Sequence, residues 1–529
     1  MRQTTVSGPY DETESSADEL AASLVAQLRG KTVLFCAIFE ITVLMVDMAR
    51  KLRTHGCNVV WTATHRTWLR YLRDQGEPES SILDLRIPKS LRPADVPVEE
   101  AVLAEIRLAE QRLDMTLASI YMMDRFTMDM RQRDGWRYLV RYYRELRTFL
   151  GEKHVDLVIG EPTQATDLMT YFVATTLGIP YYQIASIRIP SARSAICRGV
   201  AERAVCDLPE SVVEDDRPDA AMVIRAVSER GEKPLWFAKN NVQRIFKWTD
   251  APGLLRNLRH RLVDDRRSVD YRIRSRIWDR FRRVAFRRYA RSFLQPTELA
   301  AVPRPFALYA LQVQPERSVD VIAPFASNQL EVIRSIRRSL PAGMALVIKE
   351  HSNLIGGRGP DFFREVRRLP DTYVVSPYLD SHRLIAESAL VISVSGTICF
   401  EAALAGVPAV TFAELFFSSL STAFTCSNAR ELPSVIERAL GATHDPDADR
   451  LVIERLIRDS LPCFLGNAVD DPRLRDAANV DALVRLVIGA VWDAGGRGRG
   501  AVARAKPSTA HDDRASYDSA AIGAQASQT

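Results

Sequence analysis

The feature that most constrains the fold is an alternation of short apolar runs with amphipathic helical stretches, which occurs twice along the chain. In the first half, KTVLFCAIFE and CNVVWTAT flank a helical pattern at 41–56, and HVDLVIGE and IPYYQIAS flank another at 167–178. Short apolar runs predict buried strands, and apolar residues spaced three and four apart predict helices. Buried parallel strands joined by helices form a doubly wound sheet, with the ligand crevice beyond their carboxyl ends.

The second half repeats this pattern with different residues. Strands are predicted at 306–313, 344–351, 372–377, 389–396 and 408–413, and helices at 328–340, 381–388 and 397–406. We therefore predict an α/β protein with two Rossmann-like, doubly wound domains that face a cleft.

A length of 529 residues is suited to two domains with irregular ends. The predicted organisation is a disordered tail at 1–25, a first domain at 26–240, a basic helical connector at 241–300, a second domain at 301–490 and a disordered tail at 491–529. Within the first domain, the apolar spacing from about 98 to 151 predicts one long helical stretch.

Composition excludes several classes of protein. No run approaches the length of about 20 apolar residues that a membrane helix needs, and the polar, acidic N-terminus does not resemble a secretory signal. The seven cysteines form no C-x-x-C pair, so neither a disulfide framework nor a zinc site is expected. We predict a cytoplasmic protein with free thiols.

The connector is the most basic part of the chain. Between 242 and 297, arginines interleave with Trp, Phe, Tyr and Ile at helical spacing. One interpretation is a solvated helical arm whose apolar stripe packs on a domain. Another is a peripheral contact with anionic lipid at the inner face of the cytoplasmic membrane, or with an anionic acceptor. Nucleic acid is not a predicted partner, because no nucleic-acid-binding module accompanies these residues.

The strongest candidate site is ISVSGTICFEAALAGVP at 392–408, where a strand ends in Ser393, Ser395, Gly396 and Thr397 and a helix begins at once. Unpaired N–H groups at a helix N-terminus suit a phosphate or diphosphate, and the hydroxyls would add donors. Glu401, one turn later, would accept hydrogen bonds from ribose hydroxyls. The alternative role for Glu401 is that of a capping-box partner.

A second candidate site is ALVIKEHSN, where a strand ends in Lys349, Glu350 and His351. Charged residues at the carboxyl end of a core strand point into the crevice, where Lys349 and His351 would contact a phosphate. The alternative is that His351 is a structural residue. We expect the strands of the two candidate sites to be neighbours, so that both contribute to one site.

Five segments in this order resemble the capsule polysaccharide biosynthesis glycosyltransferases, a family that includes Kdo-transferring enzymes. The segments are LQVQPE, NQLEVIRSIRRSLPAG, VIKEH, VVSPYLDSHRLIAES and SGTICFEAALAGVPAVTF, within residues 311–412. The resemblance implies a two-domain fold of the glycosyltransferase B type and a nucleotide-sugar donor held by the second domain.

The resemblance also implies roles for individual residues. His351 matches the His of the family's Lys-Glu-His-Pro motif, although Ser352 stands where the family usually has Pro. Ser395, Gly396 and Thr397 match the family's phosphate loop, and Glu401 matches the Glu of its Glu-Ala pair.

In the first domain, VDLVIGEPTQATD places Glu161 at the end of a strand and is similar to a strand of the nonhydrolysing UDP-GlcNAc 2-epimerases. Glu161 would act as a general base on an acceptor hydroxyl, and its alternative role is to cap the next helix. Glu40 is a rival base. Arg188 and Arg193 would hold an anionic acceptor or a donor carboxylate, unless they are merely solvated.

These observations predict a glycosyltransferase of hexosyl or Kdo type that uses a nucleotide-sugar donor and a surface glycan or lipid-linked acceptor. No cofactor is predicted and no metal is required, because the helix dipole, His351 and Lys349 would offset the charge of the leaving nucleotide. The alternatives are a UDP-sugar 2-epimerase-like enzyme and a non-catalytic scaffold for glycan assembly.

Overall fold

In the computed structural model, the apolar runs of the first half form strands because their alternating side chains are buried on both faces of one sheet. In β1 (Thr32–Ala37), Val33 and Phe35 pack into one core, and Leu34 and Cys36 pack into the opposite core. The structure describes residues 26–113, 115–124, 134–213, 216–230, 266–267, 281, 285 and 294–496.

The first half contributes most of the first sheet. Its other described strands are β2 (Asn58–Ala63), β3 (Ile82–Asp84), β4 (Ile87–Pro88), β5 (Leu157–Ile159), β6 (Tyr181–Ser186), β7 (Ser194–Arg198) and β8 (Arg266–Arg267). Over the described part of the chain, this sheet has seven strands in the order β15-β7-β6-β5-β1-β2-β3, where β15 is Ser460–Leu461. Strands β7 and β15 run antiparallel to their neighbours, the others pair in parallel, and β4 pairs with β8.

Helices cover both faces of this sheet. They are α1 (Thr42–Thr54), α2 (Arg66–Asp74), α3 (Glu100–Leu113), α4 (Leu117–Met123), α5 (Arg137–Glu152) and α6 (Ala165–Thr176). The next helix, α7 (Ala220–Arg230), packs in the core of the second sheet. The long helical stretch predicted from about 98 to 151 was wrong as a single element, because it divides into α3, α4 and α5. Thr116 ends the continuity, since its hydroxyl accepts a hydrogen bond from the Ser119 amide and caps α4.

The second sheet has six strands within the described residues, and all of its pairs are parallel. The strands are β9 (Phe306–Ala310), β10 (Ala345–Lys349), β11 (Thr372–Val375), β12 (Leu390–Ser393), β13 (Ala409–Thr411) and β14 (Ala423–Thr425). Their order is β11-β10-β9-β12-β13-β14. The prediction of two doubly wound α/β units is confirmed.

Helices again cover both faces. They are α8 (Arg317–Asp320), α9 (Gln329–Ser339), α10 (Pro360–Arg367), α11 (Ser381–Glu387), α12 (Thr397–Leu404), α13 (Leu432–Leu440) and α14 (Pro446–Arg458). The last helix, α15 (Ala477–Ala494), packs on the first sheet. The predicted helices at 328–340, 381–388 and 397–406 correspond to α9, α11 and α12.

The end of the described chain returns to the first unit. β15 joins the first sheet, and Leu483 and Leu486 of α15 pack in the same core as Leu44 and Met48 of α1. We predicted that residues 301–490 form the second domain. β15 and α15 differ from this prediction, because β15 pairs with the first sheet and the apolar face of α15 is buried against it.

Several predicted segments fall outside the described residues. They are the tail at 1–25, residues 497–529 of the second tail, and the basic connector apart from 266–267, 281, 285 and 294–300. All seven cysteines are described, and each is a buried free thiol. In the described parts of the chain, no helix has the length and apolar character that spanning a membrane requires.

Candidate functional site

Three turns leave the carboxyl edge of the second sheet side by side, after β10, β9 and β12. We expected β10 and β12 to be adjacent, and this was wrong, because β9 lies between them. The two predicted candidate sites are therefore joined through the turn that follows β9, which carries Gln312 and Arg317.

Gln312 is the buried link between the outer turns. Its Oε1 accepts a hydrogen bond from the Ser395 amide at 2.8 Å. Its main-chain oxygen accepts one from Arg358, whose guanidinium also pairs with the buried carboxylate of Glu350. Sequence reasoning missed Gln312 and Arg358. The signal for Gln312 was present, since LQVQPE places a polar residue just past the end of a buried strand.

The turn after β10 holds His351 in its neutral form at neutral pH. Burial, followed by the positive charges of Lys349 and Arg358, lowers the pKa of His351 to about 4. The His351 amide donates to the Glu350 carboxylate at 2.7 Å, and the Lys349 ammonium donates to Ser381 Oγ at 3.1 Å. A neutral imidazole has one N–H donor, so His351 can hydrogen-bond an anion but does not add a positive charge.

In the turn after β12, both serine hydroxyls are used within the protein. Ser393 Oγ donates to the Ala310 main-chain oxygen at 3.2 Å, and Ser395 Oγ donates to that of Ser318. This corrects the expectation that the hydroxyls of Ser393 and Ser395 would donate to a phosphate. Their role in the turn is to fix its shape.

The start of α12 supplies the remaining donors. Gly396 is its N-cap residue and has no side chain to cap the helix. The Cys399 amide donates to the Gly396 main-chain oxygen at 3.1 Å, which leaves the first-turn N–H groups of Thr397 and Ile398 for a ligand. An added Cβ at Gly396 would lie 2.6 Å from Ser393 Oγ, which is too close for a side chain. Glu401 is buried one turn along, and the capping-box alternative does not hold, because the N-cap is a glycine.

Arg188 ties this turn to the first unit. Its guanidinium donates to the Ser395 main-chain oxygen at 3.2 Å and pairs with Glu202 at 2.6 Å, and it lies over the Phe416 ring. Its backbone has φ of 69°, a left-handed conformation that costs about 1–2 kcal/mol for a residue with a side chain. Arg188 is thus a buried bridge between the units and not a solvated loop residue.

Arg317, in the second unit, makes a parallel connection. Its guanidinium lies 3.2 Å from Glu202 and 3.9 Å from Glu161, and it donates to Gln183 and to the Val200 main-chain oxygen. Burial alone would lower the pKa of Arg317, but the charges of Glu161 and Glu202 outweigh it and raise the pKa. The half-buried carboxylate of Glu161 therefore faces the second unit.

The other two predicted residues lie elsewhere. Arg193 is buried, and its guanidinium donates to the main-chain oxygens of Ser460 and Ile457 at 2.6 and 3.2 Å. These bonds hold β15 against the first sheet, so Arg193 has a structural role and not the anion-binding role that we expected. Glu40 is half-buried in the turn between β1 and α1.

The assembled site is an edge with mixed charge between the two units. It contains helix N–H donors at α12, a neutral His351, the ammonium of Lys349 and the carboxylate of Glu161 facing across. Within the described ranges, no group of three or more His, Cys, Asp or Glu side chains is arranged to hold a metal ion. Chemically, the edge can bind a phosphate and present a carboxylate to a second reactant.

The sequence profile of the family described as "Capsule polysaccharide biosynthesis protein" matches residues 257–421. This segment contains the three turns of the candidate site and the whole range of the resemblance found in the sequence. The predicted resemblance to this family is confirmed over these residues. No curated protein matches the chain.

Solved structures with a similar chain course include enzymes of two kinds. A UDP-GlcNAc 2-epimerase from Methanocaldococcus jannaschii is 14% identical, over 81% of this chain and 99% of that one, with a TM-score of 0.23. The β-Kdo 2,7-transferase KpsC from Thermosulfurimonas dismutans is 13% identical, over 59% and 79%, with a TM-score of 0.27. A glycosyltransferase from Rickettsia africae is 9% identical, over 88% and 98%, with a TM-score of 0.26.

Proposed function

We propose that this protein is a glycosyltransferase that moves a sugar from a nucleotide-sugar donor to a surface glycan or a lipid-linked acceptor. The observation that carries the proposal is the turn at Ser395, Gly396 and Thr397, which begins α12 and is bonded to the first unit through Arg188. The match of residues 257–421 to the capsule polysaccharide biosynthesis family supports the same reaction class.

The donor would bind by its phosphates at the start of α12. The first-turn N–H groups and the Thr397 hydroxyl would donate to the phosphate oxygens, and the absence of a side chain at Gly396 would allow close approach. Lys349 and His351 would contact the donor from the turn after β10. Glu401 would accept hydrogen bonds from the ribose hydroxyls.

Sugar transfer needs a base for the acceptor and stabilisation for the leaving nucleotide. Glu161 would accept the proton of the acceptor hydroxyl while the hydroxyl oxygen forms a bond to the anomeric carbon of the donor sugar. The bond from that carbon to the phosphate oxygen would break, and the negative charge would remain on the nucleotide at the α12 N-terminus. A hexose and Kdo are both compatible with these roles, and the roles require no metal.

The test is an activity assay with UDP-, GDP- and CMP-sugars, with and without a glycan acceptor. We expect nucleotide release that depends on the acceptor. Gly396→Ala should reduce the affinity for the donor by at least about tenfold, because its Cβ would displace Ser393 Oγ and distort the turn.

The matched control is Gly441→Ala at the end of α13, where an added Cβ would meet only the Glu437 main-chain oxygen at 3.6 Å and the Arg438 oxygen at 3.9 Å. This variant should bind the donor like the unmodified protein. Turnover of UDP-GlcNAc without an acceptor would instead favour the epimerase. If no nucleotide-sugar binds, the chain is not a glycosyltransferase, and the scaffold alternative is favoured.

A further inference from the structure

The carboxyl edge of the first sheet contains a group of buried polar atoms that the proposed donor site does not use. They lie on the turns after two adjacent strands, β1 and β5. Among the described residues, no hydrogen-bond partner reaches Thr42 Oγ1, Thr163 Oγ1, Gln164 Nε2 or Thr166 Oγ1. These four side chains are at most 5% exposed.

Three of these residues lie together at the start of α6. Gln164 is the N-cap residue of this 12-residue helix, but its side chain does not cap the helix. Thr163 precedes it, and Thr166 lies in the first turn. The Gln164 Oε1 already accepts a hydrogen bond from Thr64 Oγ1 at 3.4 Å, at the end of β2, so the unused part of this side chain is its N–H₂ donor.

The backbone at the start of α6 favours a negative ligand at this point. The first-turn N–H groups of a helix have no intrahelical partner, and they carry the positive end of the helix dipole. Asp167 is the acidic residue of this turn, and burial raises its pKa well above the ordinary value, which favours its neutral form. The carboxylates of Glu161 and Asp124 also act on Asp167, and Glu161 lies 3.9 Å from the guanidinium of Arg317.

A polar atom that is buried without a partner loses the hydrogen bonds that it makes with water in the unfolded chain, and this opposes folding. Four such atoms at one sheet edge indicate a site that a ligand completes. The unused groups at α6 are an amide N–H₂, two hydroxyls and helix N–H groups, which can all donate. The complementary ligand therefore has several hydrogen-bond acceptors and needs no hydrogen-bond donor.

We propose that an oxyanion group, a phosphate or a carboxylate, binds at the start of α6, where it accepts hydrogen bonds from Thr163, Gln164 and Thr166. The site belongs to the first unit and is separate from the donor turn at α12. It is independent of the proposed function, because an anion can bind there whether or not the protein transfers a sugar. If sugar transfer is correct, the site would hold an anionic group of the acceptor.

The test compares the melting temperature in inorganic phosphate, in acetate and in chloride at equal ionic strength. Phosphate stabilises many proteins without binding to a specific site. We therefore compare the rise in melting temperature that each anion causes in the unmodified protein with the rise that it causes in Thr163→Val/Thr166→Val. We expect phosphate or acetate to raise the melting temperature of the unmodified protein by roughly 2 °C more than that of the variant. A response to phosphate alone would indicate a phosphate-bearing ligand, and a response to acetate alone would indicate a carboxylate.

Two controls make the result specific. Thr176→Val, at the opposite end of α6, removes a hydroxyl that donates to the Val173 main-chain oxygen at 2.7 Å, and it should keep the full anion response. Gly396→Ala alters the donor turn at α12 and should also keep the full anion response. In chloride, Thr163→Val/Thr166→Val should not melt earlier than the unmodified protein, because neither hydroxyl has a partner in the described structure.

The proposal is overturned if the two-threonine variant keeps the anion response, or if neither phosphate nor acetate distinguishes it from the unmodified protein. It is also overturned if Gly396→Ala removes the response, because the anion would then bind at α12. That last result would support the donor site, so failure of this inference and failure of the proposed function give different results.

Discussion

At the scale of single residues, the fold changes the charge state of His351. Burial lowers its pKa to about 4 from an ordinary value of 6.5, and the charges of Lys349 and Arg358 act in the same direction. The imidazole is therefore a neutral hydrogen-bonding group at physiological pH. A bound phosphate would add a negative charge and raise this pKa again.

We predict that an NMR titration of His351 has a midpoint near 4, and that Lys349→Met raises it, because one of the two positive neighbours is removed. As the pH falls, His351 becomes protonated in the unfolded chain at a higher pH than in the folded protein. The free energy of unfolding should therefore decrease as the pH falls from about 6.5 to about 4, by at most about 3 kcal/mol from this group. A midpoint near 6.5 would contradict the burial of His351.

The sequence identified most of the residues at this edge but not what they contact. Lys349, Gly396 and Glu161 could be predicted from their positions after apolar runs. The bonds of Ser395 and Arg188 could not, because their partners are 83 and 207 residues away in the sequence. Such long-range contacts depend on how the two units meet.

At the scale of elements, β15 is a two-residue strand that connects the second unit back to the first sheet. It pairs antiparallel with β7, and the buried guanidinium of Arg193 satisfies main-chain oxygens of Ser460 and Ile457. Without this side chain, the Ser460 main-chain oxygen would lose its charged donor, whereas the Ile457 main-chain oxygen would keep the Ser460 hydroxyl at 3.0 Å. The return of α15 to the first core depends on this junction.

We predict that Arg193→Leu lowers the free energy of unfolding by about 3 kcal/mol, because it removes the buried guanidinium that donates to the Ser460 main-chain oxygen and to Ser460 Oγ. The measurement is urea unfolding. Arg198→Leu is the matched control, since Arg198 ends β7, which Arg193 directly precedes, but it is half-exposed in its pair with Asp493, and its loss should cost about 1 kcal/mol or less. Equal losses in both variants would show that Arg193 does not hold β15 in place.

Element type followed from the sequence more reliably than element order. The apolar runs at 306–313 and 389–396 correspond to β9 and β12, because a buried parallel strand is apolar on both faces. The position of β9 between β10 and β12 could not be read from local patterns, since sheet order depends on crossover connections. β15 has two residues, too few for any periodicity.

At the scale of the whole molecule, the two units are joined by charges that alternate in sign. Glu202 of the first unit pairs with Arg188 and with Arg317, which comes from the second unit. Truncation of one partner in a buried ion pair leaves an uncompensated charge, so such pairs resist separation of the surfaces that they join. The network therefore holds Glu161 and the turn at Ser395 on facing edges.

The most direct test of the proposed function is a crystal structure of the protein with a bound nucleotide-sugar. We predict that the phosphates lie at the start of α12, within hydrogen-bond distance of the Gly396 and Thr397 amides, with the sugar directed toward Glu161. A nucleotide bound away from both the α12 and the β10 turns would contradict the account.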